Sequence, residues 1–132
     1  MILVDTSVWV EYLRATGSAA HRRLAGLVDE EEAELATTDA VLMEVLAGAR
    51  DEADRKDLRR LLGRCEFLAT RGPTDYEDAA DIYRACRRRG VTVRSLLGCL
   101  IAAVALREGA EVLHANGDLR MIAEHFPLKQ TL

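Results

Sequence analysis

The sequence predicts one α/β domain in which helices cover both faces of a parallel β-sheet. Short apolar runs of strand type alternate with longer segments of helical period, and no repeat, low-complexity tract or linker divides the chain. Strands separated by helices pair in parallel, and their crossover helices pack on the faces of the sheet. The chain has 132 residues, the usual size of one domain, so residues 1–132 are predicted to form a single domain.

The first half of the chain is predicted to contain three strands and four helices. Residues 1–4 are a continuous apolar run, which is typical of a strand buried on both faces. Thr6 and Ser7 are good N-cap residues for a short helix over residues 8–13, which leaves Asp5 free of capping. The other elements are a helix from Gly17-Ser18 to the acidic run 29–34, a short strand at 34–38, a helix capped by Asp39 that runs through residue 49, a helix at 51–63 and a strand at 66–69.

The second half is predicted to contain three helices and two strands. Thr74 and Glu77 have the spacing of a capping box, which predicts a helix that runs to Arg89 and ends at Gly90. The other elements are a long apolar helix at 94–108 closed by Gly109, a strand at 111–114, a helix at Gly117–His125 and an edge strand at 127–131.

Composition excludes several classes of protein. Hydrophobic residues make up 49% and charged residues 30%, which excludes a disordered chain. The longest apolar run covers residues 96–106 and is too short to span a bilayer, and the N-terminus lacks the basic region of a signal peptide. Three cysteines without CxxC spacing argue against a disulfide framework or a cysteine zinc site, so we expect a reducing cytoplasm. A net charge of −4 leaves nucleic-acid binding to local patches.

Three carboxylates are candidates for chemistry. Asp5 and Asp118 follow predicted strands, and Glu44 lies inside an apolar helical run. Ligands of parallel sheets bind beyond the carboxyl ends of the strands, where such side chains meet. Two carboxylates 4 Å apart repel by about 4 kcal/mol at an effective dielectric of 20, so a cluster implies a counter-cation. Mg²⁺ is the natural ion for oxygen ligands, and it activates water for attack on a phosphodiester.

Each carboxylate also has a purely structural interpretation. Asp5 is a potential cap of the following helix, and Glu44 is compatible with a solvent-facing stripe. Asn116-Gly117 is a turn signal, which makes Asp118 a natural N-cap of the last helix.

Four stretches of the chain resemble a known family in order and spacing. They are the opening Met1-Ile2-Leu3-Val4-Asp5-Thr6-Ser7-Val8-Trp9, the buried Glu44, Gly90-Val91-Thr92-Val93-Arg94-Ser95 followed by Cys99-Leu100-Ile101-Ala102-Ala103, and the late Asn116-Gly117-Asp118-Leu119. This pattern resembles the PIN domain, and within it the VapC toxins of bacterial toxin–antitoxin pairs. The resemblance covers essentially the whole chain.

The resemblance implies a three-layer α/β/α sandwich and an endoribonuclease that depends on Mg²⁺ or Mn²⁺. It also implies a protein antitoxin as partner and a homodimer. By matching position, Asp5, Glu44 and Asp118 would be catalytic and would hold the metal together with Asn116. We further expect RNA contacts from Thr6, Ser7, Arg94 and Ser95.

One departure from the family pattern bears on activity. The family usually has an aspartate directly before Cys-Leu-Ile-Ala-Ala, where this chain has Gly98. Two milder departures are Asn116 for the first acid of the late motif and Leu119 for its aromatic residue. Loss of a negative charge weakens attraction for a dication, so we expect weakened or lost cleavage. The alternative function is a catalytically impaired PIN domain that acts as an antitoxin-binding module. The structural interpretation of Gly98 is close helix packing, together with Ala102 and Ala105 on the same face.

The remaining notable residues are given structural roles. Arg87, Arg88 and Arg89 suit the C-terminal end of a helix, where cations complement the dipole. Trp9 and Tyr12 are expected in the core or on a ridge that binds a partner, and Cys99 is expected to be an inert small hydrophobe.

Overall fold

Residues 1–131 are described by a computed structural model, and they form a five-stranded parallel sheet flanked by helices. In chain order the elements are β1 (Ile2–Val4), α1 (Thr6–Leu13), α2 (Ala19–Asp29), β2 (Leu35–Thr37), α3 (Asp39–Ala47), α4 (Glu52–Leu62), β3 (Glu66–Phe67), α5 (Gly72–Arg88), α6 (Leu96–Glu108), β4 (Glu111–Leu113), α7 (Gly117–His125) and β5 (Gln130–Thr131). Among the described residues, no helix combines the length and apolar character that a membrane crossing requires.

The strand order is β3-β2-β1-β4-β5, with every neighbouring pair parallel. The chain therefore moves outward from β1 to β3 and then returns past β1 to β4 and β5. Because parallel crossovers are right-handed, the two directions place α1–α4 on one face of the sheet and α5–α7 on the other. This confirms the predicted three-layer sandwich, and it puts β1 at its centre.

The core surrounds β1 and α6. Leu3 and Val4 of β1 are fully buried. Every residue of α6 from Gly98 to Ala105 is buried as well, which explains why this helix is apolar all round rather than on one face. Helix α6 packs along α5 and α7 and also contacts α3 near the carboxyl ends of the strands. The position of Gly98 is thus set by the most deeply buried helix of the protein.

A buried ion pair joins the two ends of the α5–α6 hairpin. The Arg107 guanidinium donates to both carboxylate oxygens of Asp75, from Nε at 3.0 Å and from Nη2 at 2.9 Å. Nη2 also donates to the Ala69 carbonyl, and the backbone N–H of Arg71 donates to Asp75 at 2.7 Å. The Asp75 side chain is 0% exposed, and its hydrogen bonds from Arg107 hold the pKa of this carboxyl below its usual value.

The order of the elements is as predicted, but several helix starts are not. Helix α5 begins at Gly72 with Pro73 in its first turn, where a missing N–H costs nothing, so Thr74 does not open it. Helix α3 ends at Ala47 and has Thr38, not Asp39, as its N-cap. The Asp39 carboxylate instead accepts from the backbone N–H and hydroxyl of Thr70, which ties α3 to the segment after β3.

Candidate active site

A cleft of about 380 Å³ opens at the carboxyl ends of β1 and β4. Asp5 comes directly after β1, Asn116 lies in the turn after β4, Glu44 comes from α3 and Gly98 comes from α6. The sheet topology thus brings together four positions that are far apart in the sequence. Other lining residues that were predicted to be functional are Thr6, Ser7 and Ser95.

Asp5 is held by the start of helix α1. Its Oδ2 accepts from the backbone N–H of Ser7 at 3.0 Å and from the Ser7 hydroxyl at 2.5 Å. Asp5 is therefore the N-cap of α1, and the prediction that Thr6 and Ser7 would cap it was wrong. The Asp5 carboxylate caps the helix because Asp5 lies one residue before α1, where its side chain can accept from a free N–H of the first turn, that of Ser7. The Ser7 hydroxyl also accepts from the Ala115 N–H at 3.0 Å, which links the start of α1 to the turn after β4.

Glu44 is half-buried and hydrogen-bonded across the cleft. The Thr6 hydroxyl donates to its Oε1 at 2.9 Å, which joins α1 to α3. The small residues around Glu44, namely Ala40, Ala47 and Gly48, leave its carboxylate open to a ligand. Glu44 therefore lines the cleft and does not simply belong to a helix stripe that faces bulk solvent.

Asp118 adjoins the cleft but faces the backbone of α6. Its carboxylate accepts from the N–H of Arg94 at 3.1 Å and from the N–H of Ser95 at 3.0 Å, and the residue is 6% exposed. It thereby satisfies the amides of the two residues that precede α6, and this helix begins at Leu96, not at Arg94 as predicted, with Ser95 in an extended conformation as its N-cap. The alternative that Asp118 caps α7 was wrong, because the side chain of Asn116 is the cap and accepts from the Asp118 N–H at 2.8 Å.

Replacing Asp118 with alanine is expected to destabilise the fold by about 2 kcal/mol, because the amides at the start of α6 lose their buried acceptor. Asp118→Asn retains one acceptor oxygen and should cost about half as much. Urea denaturation measures both free energies of unfolding. Equal losses for alanine and asparagine would show that the capping contact contributes little.

Gly98 leaves room for a side chain. A Cβ placed on it would meet only the Cβ of Asp118, at 3.8 Å, which is ordinary van der Waals contact. The structural interpretation of Gly98 as a close-packing glycine is therefore wrong. A Cβ at this position therefore fits without a shift of the backbone, and we expect the carboxylate of an aspartate here to add to the acidic lining of the cleft.

The donors of the cleft suit a hard cation. Asp5 and Glu44 supply carboxylate oxygens and Asn116 supplies an amide oxygen, which are ligands that Mg²⁺ accepts together with water. No three Asp, Glu, His or Cys side chains between residues 1 and 131 are arranged to hold a metal ion. The residues that line the cleft thus fit an ion such as Mg²⁺, which takes few ligands from the protein and the rest from water.

Comparison with known proteins agrees with this geometry. The family model described as PIN domain matches residues 2–125. The chain belongs to the PIN-domain family. "VapC ribonuclease Mb1587" of Mycobacterium bovis and "Ribonuclease VapC11" of Mycobacterium tuberculosis are each 47% identical to it over 123 residues, which cover 93% of this chain and 92% of theirs.

Solved structures share the PIN fold at low sequence identity. VapBC2 from Rickettsia felis, bound to a DNA fragment from its promoter, gives a TM-score of 0.77 at 18% identity and covers 99% of this chain and 98% of that one. VapC20 from Mycobacterium tuberculosis, a toxin that cleaves the sarcin–ricin loop, gives 0.70 at 21% identity and covers 96% of both chains. The resemblance that the sequence motifs indicated is therefore confirmed.

Of the two residues near α6 that were expected to contact RNA, Ser95 and Arg94, only the first lines the cleft of this PIN domain. Ser95 lines the cleft, and its hydroxyl makes no capping hydrogen bond. Arg94 is exposed and is not part of the lining. Sequence reasoning missed Glu11, which lines the cleft because it lies one helical turn after Ser7. A hydrogen bond from the Thr16 hydroxyl lowers the pKa of Glu11.

Two neighbouring residues have structural roles. His114 Nδ1 accepts from the Asn116 N–H at 3.2 Å, and its Nε2 lies 2.7 Å from Gln130 Oε1, so the ring holds the turn after β4. Cys99 is fully buried, and burial raises the pKa of its thiol to about 11. It therefore stays protonated at neutral pH, in agreement with the expected inert role.

Proposed function

We propose that this PIN domain is a metal-dependent endoribonuclease toxin of a type II toxin–antitoxin pair, in which Gly98 has weakened or abolished cleavage. The observation that carries the proposal is the oxygen-lined cleft that unites Asp5 and Glu44 at the carboxyl ends of the central strands. The 47% identity to proteins named as VapC ribonucleases supports the activity. We place its action in the cytoplasm, as a homodimer that pairs with a protein antitoxin.

The acidic residues and Asn116 are assigned to metal binding in this proposal. Asp5 and Glu44, with the amide oxygen of Asn116, would hold Mg²⁺ or Mn²⁺, and Asp118, which adjoins the cleft next to Gly98, would add its negative charge. Such an ion supplies a Lewis acid for the scissile phosphate and lowers the pKa of a coordinated water.

The remaining polar side chains position acids and substrate. Ser7 and Thr6 fix the orientations of Asp5 and Glu44 through their hydroxyls. The Ser95 hydroxyl, which makes no capping hydrogen bond, would donate to an RNA phosphate, and the exposed Arg94 next to it would attract the phosphate backbone.

The second candidate function is an antitoxin-binding module that no longer cleaves RNA. Gly98 favours it, since an aspartate would fit there and its charge is missing. A charge about 4 Å from a dication contributes several kcal/mol at an effective dielectric of 20, so its loss lowers metal affinity strongly. The fold is unaffected, because the buried helix α6 packs without that side chain.

Substitution of Glu44 by glutamine tests the cleft directly. We expect RNA cleavage in Mn²⁺ to fall at least tenfold, because one of the two carboxylates that we assign to the metal, Asp5 and Glu44, loses its charge. Cleavage is measured on structured RNA, both in the natural chain and with Gly98→Asp as background. The exposed Glu77→Gln is the matched control and should leave the rate unchanged.

The outcomes separate the two functions. Equal cleavage by Glu44→Gln and the natural residue in both backgrounds would overturn the assignment of the cleft as the active site. A chain that binds its antitoxin but cleaves RNA only with Gly98→Asp supports the binding module.

A further inference from the structure

A second cavity, of about 520 Å³, adjoins the candidate active site. Val10 and Glu44 line both spaces, so the second cavity shares a wall with the cleft. Its other walls are the end of α1, the end of α3, and α4 with the loop before it, and we call it the side groove. Its volume lies in the range of about 300–1,000 Å³ that is usual for ligand-binding pockets.

The side groove combines apolar and cationic side chains. Its lining includes the buried Val45 and Leu58, and the side chain of Leu13, which is 43% exposed. Arg14 and Arg50 are the cationic residues of the lining, and both are exposed. An occupant that matches this lining has an apolar face and carries negative charge.

The charges of the side groove do not cancel completely. Arg50 pairs with Asp54 from Nε at 3.5 Å, but 86% of the Arg50 side chain stays exposed. None of the ion pairs between residues 1 and 131 involves Arg14. Asp54 therefore offsets one of the two positive charges. The other carboxylate of the lining, Glu44, lies at the wall shared with the cleft, where the proposed metal ion would offset its charge.

The acidity of the cleft explains why a cation beside it matters. Asp5, Glu11 and Glu44 line the cleft, and their charges repel the phosphates of an RNA strand. Proteins hold nucleic acids mainly through Lys and Arg contacts to phosphates, and these contacts position the strand. An RNA strand that places one phosphate in the cleft continues over the neighbouring surface, and the side groove is such a surface.

We propose that the side groove holds a nucleotide that neighbours the scissile phosphate of a single-stranded RNA segment. Arg14 and Arg50 contact a phosphate of this nucleotide, because the planar guanidinium matches the geometry of phosphate oxygens. Its base packs on the exposed Leu13, since every base has an apolar face. The inference rests on the proposed function, to which it adds two substrate-binding residues outside the cleft.

RNA binding without metal tests the side groove apart from cleavage. The probe is a fluorescein-labelled single-stranded RNA of about 12 nucleotides, within the site size of small nucleic-acid-binding domains. Fluorescence anisotropy in EDTA gives the Kd of the natural chain from about 50 mM salt upward. Arg14→Gln combined with Arg50→Gln should raise the Kd about tenfold, the effect of two exposed ionic contacts. The slope of log Kd against log salt should fall by about 1.4, since each phosphate contact to a single strand contributes about 0.7.

Matched variants separate the side groove from general charge attraction. Arg60→Gln combined with Arg84→Gln removes the same charge from exposed positions on α4 and α5, and should change the Kd less than about twofold. Arg14→Lys combined with Arg50→Lys keeps the charge and should stay within about threefold of the natural chain. Equal weakening by the two glutamine pairs, or no RNA binding by the natural chain, would overturn the proposal. Unchanged RNA affinity without Arg14 and Arg50 would also overturn it, and would leave the groove to a protein segment.

Cleavage kinetics distinguish failure of this inference from failure of the proposed function. With Gly98→Asp as background and Mn²⁺ present, Arg14→Gln combined with Arg50→Gln should raise KM about tenfold with a much smaller change in kcat. The reason is that the side groove binds RNA equally in the ground state and in the transition state. An unchanged KM would overturn the side groove and leave the proposed function intact. If no variant cleaves RNA but the arginine pair still weakens RNA binding, the proposed function fails and the groove remains an RNA-binding surface.

Discussion

Replacing Gly98 with aspartate is expected to raise Mn²⁺ affinity about a hundredfold and to raise RNA cleavage with it. The site has room, since the nearest atom to a new Cβ is the Asp118 Cβ at 3.8 Å. A further carboxylate in the cleft, where Asp5, Glu11 and Glu44 already lie, adds several kcal/mol of attraction for a dication at an effective dielectric of 20. Solvent and repulsion among the carboxylates reduce that gain to about 3 kcal/mol, which is a hundredfold in affinity. Calorimetric titration with Mn²⁺ measures it.

Gly98→Asn is the matched control for this gain. Asparagine has the shape of aspartate without its charge, so it should leave Mn²⁺ affinity within a few-fold of the natural chain. The added carboxylate also repels Asp5 and Asp118, so Gly98→Asp should lower the Tm without metal and recover it with Mn²⁺. Unchanged Mn²⁺ affinity and unchanged cleavage in Gly98→Asp would show that this position does not belong to a metal site.

Replacing Arg107 with alanine should produce a large loss of stability, about 3–5 kcal/mol in the free energy of unfolding. The change leaves the Asp75 carboxylate, which is 0% exposed, buried without its guanidinium partner. It also removes the donor to the Ala69 carbonyl and so loosens the segment between β3 and α5. Urea denaturation with a constant m-value provides the measurement.

A double replacement distinguishes the lost pair from lost packing. Asp75→Leu combined with Arg107→Met removes both charges and keeps apolar volume, so it should recover most of the stability. If the double variant is as unstable as Arg107→Ala, packing around Arg107 dominates and the ion pair does not.

The same pair predicts how stability depends on pH. Because Arg107 lowers the pKa of Asp75 in the folded state, the pair contributes fully above the unfolded aspartate pKa of about 3.9. That contribution is lost as the pH falls through the folded value. The natural chain should therefore lose more stability than the double variant between about pH 4 and pH 2. Parallel curves in acid would contradict the assignment.

The order of strands and helices was predictable because each element has a local signal. The apolar run before Asp5 and the glycine after α6 are examples, and both mark boundaries that the structure confirms. Helix starts were less predictable, because α3, α5 and α6 begin without a side-chain cap and some contacts near helix ends come from distant parts of the chain. Asp118 satisfies the amide of Arg94 across 24 residues, and Asp75 pairs with Arg107 across 32. No local pattern reveals such partners.

The candidate site was predictable in part for the same reason. Parallel topology requires the residues after β1 and β4 to meet, so Asp5 and Asp118 were expected at one edge of the sheet. Glu44 was singled out as a carboxylate in an apolar helical run, Asn116 and Gly98 came from the family resemblance, and all three line the cleft. The orientation of the Asp118 carboxylate toward the start of α6 depends on how that helix packs, and no local sequence pattern predicts this orientation.

The hydrogen bonds around the cleft bear on whether the chain must bind a metal ion before it folds. Ser7 holds Asp5, Thr6 holds Glu44, and backbone amides hold Asp118, so protein groups orient all three carboxylates. We therefore expect the chain to fold without a metal, in contrast to small domains whose ligands are ordered only when the ion binds. Under the proposed metal-dependent function, a newly synthesised chain would present the same surface to a partner before and after it binds the ion. Metal supply would then set the rate of cleavage, and it would change the amount of folded protein only as far as binding stabilises the fold.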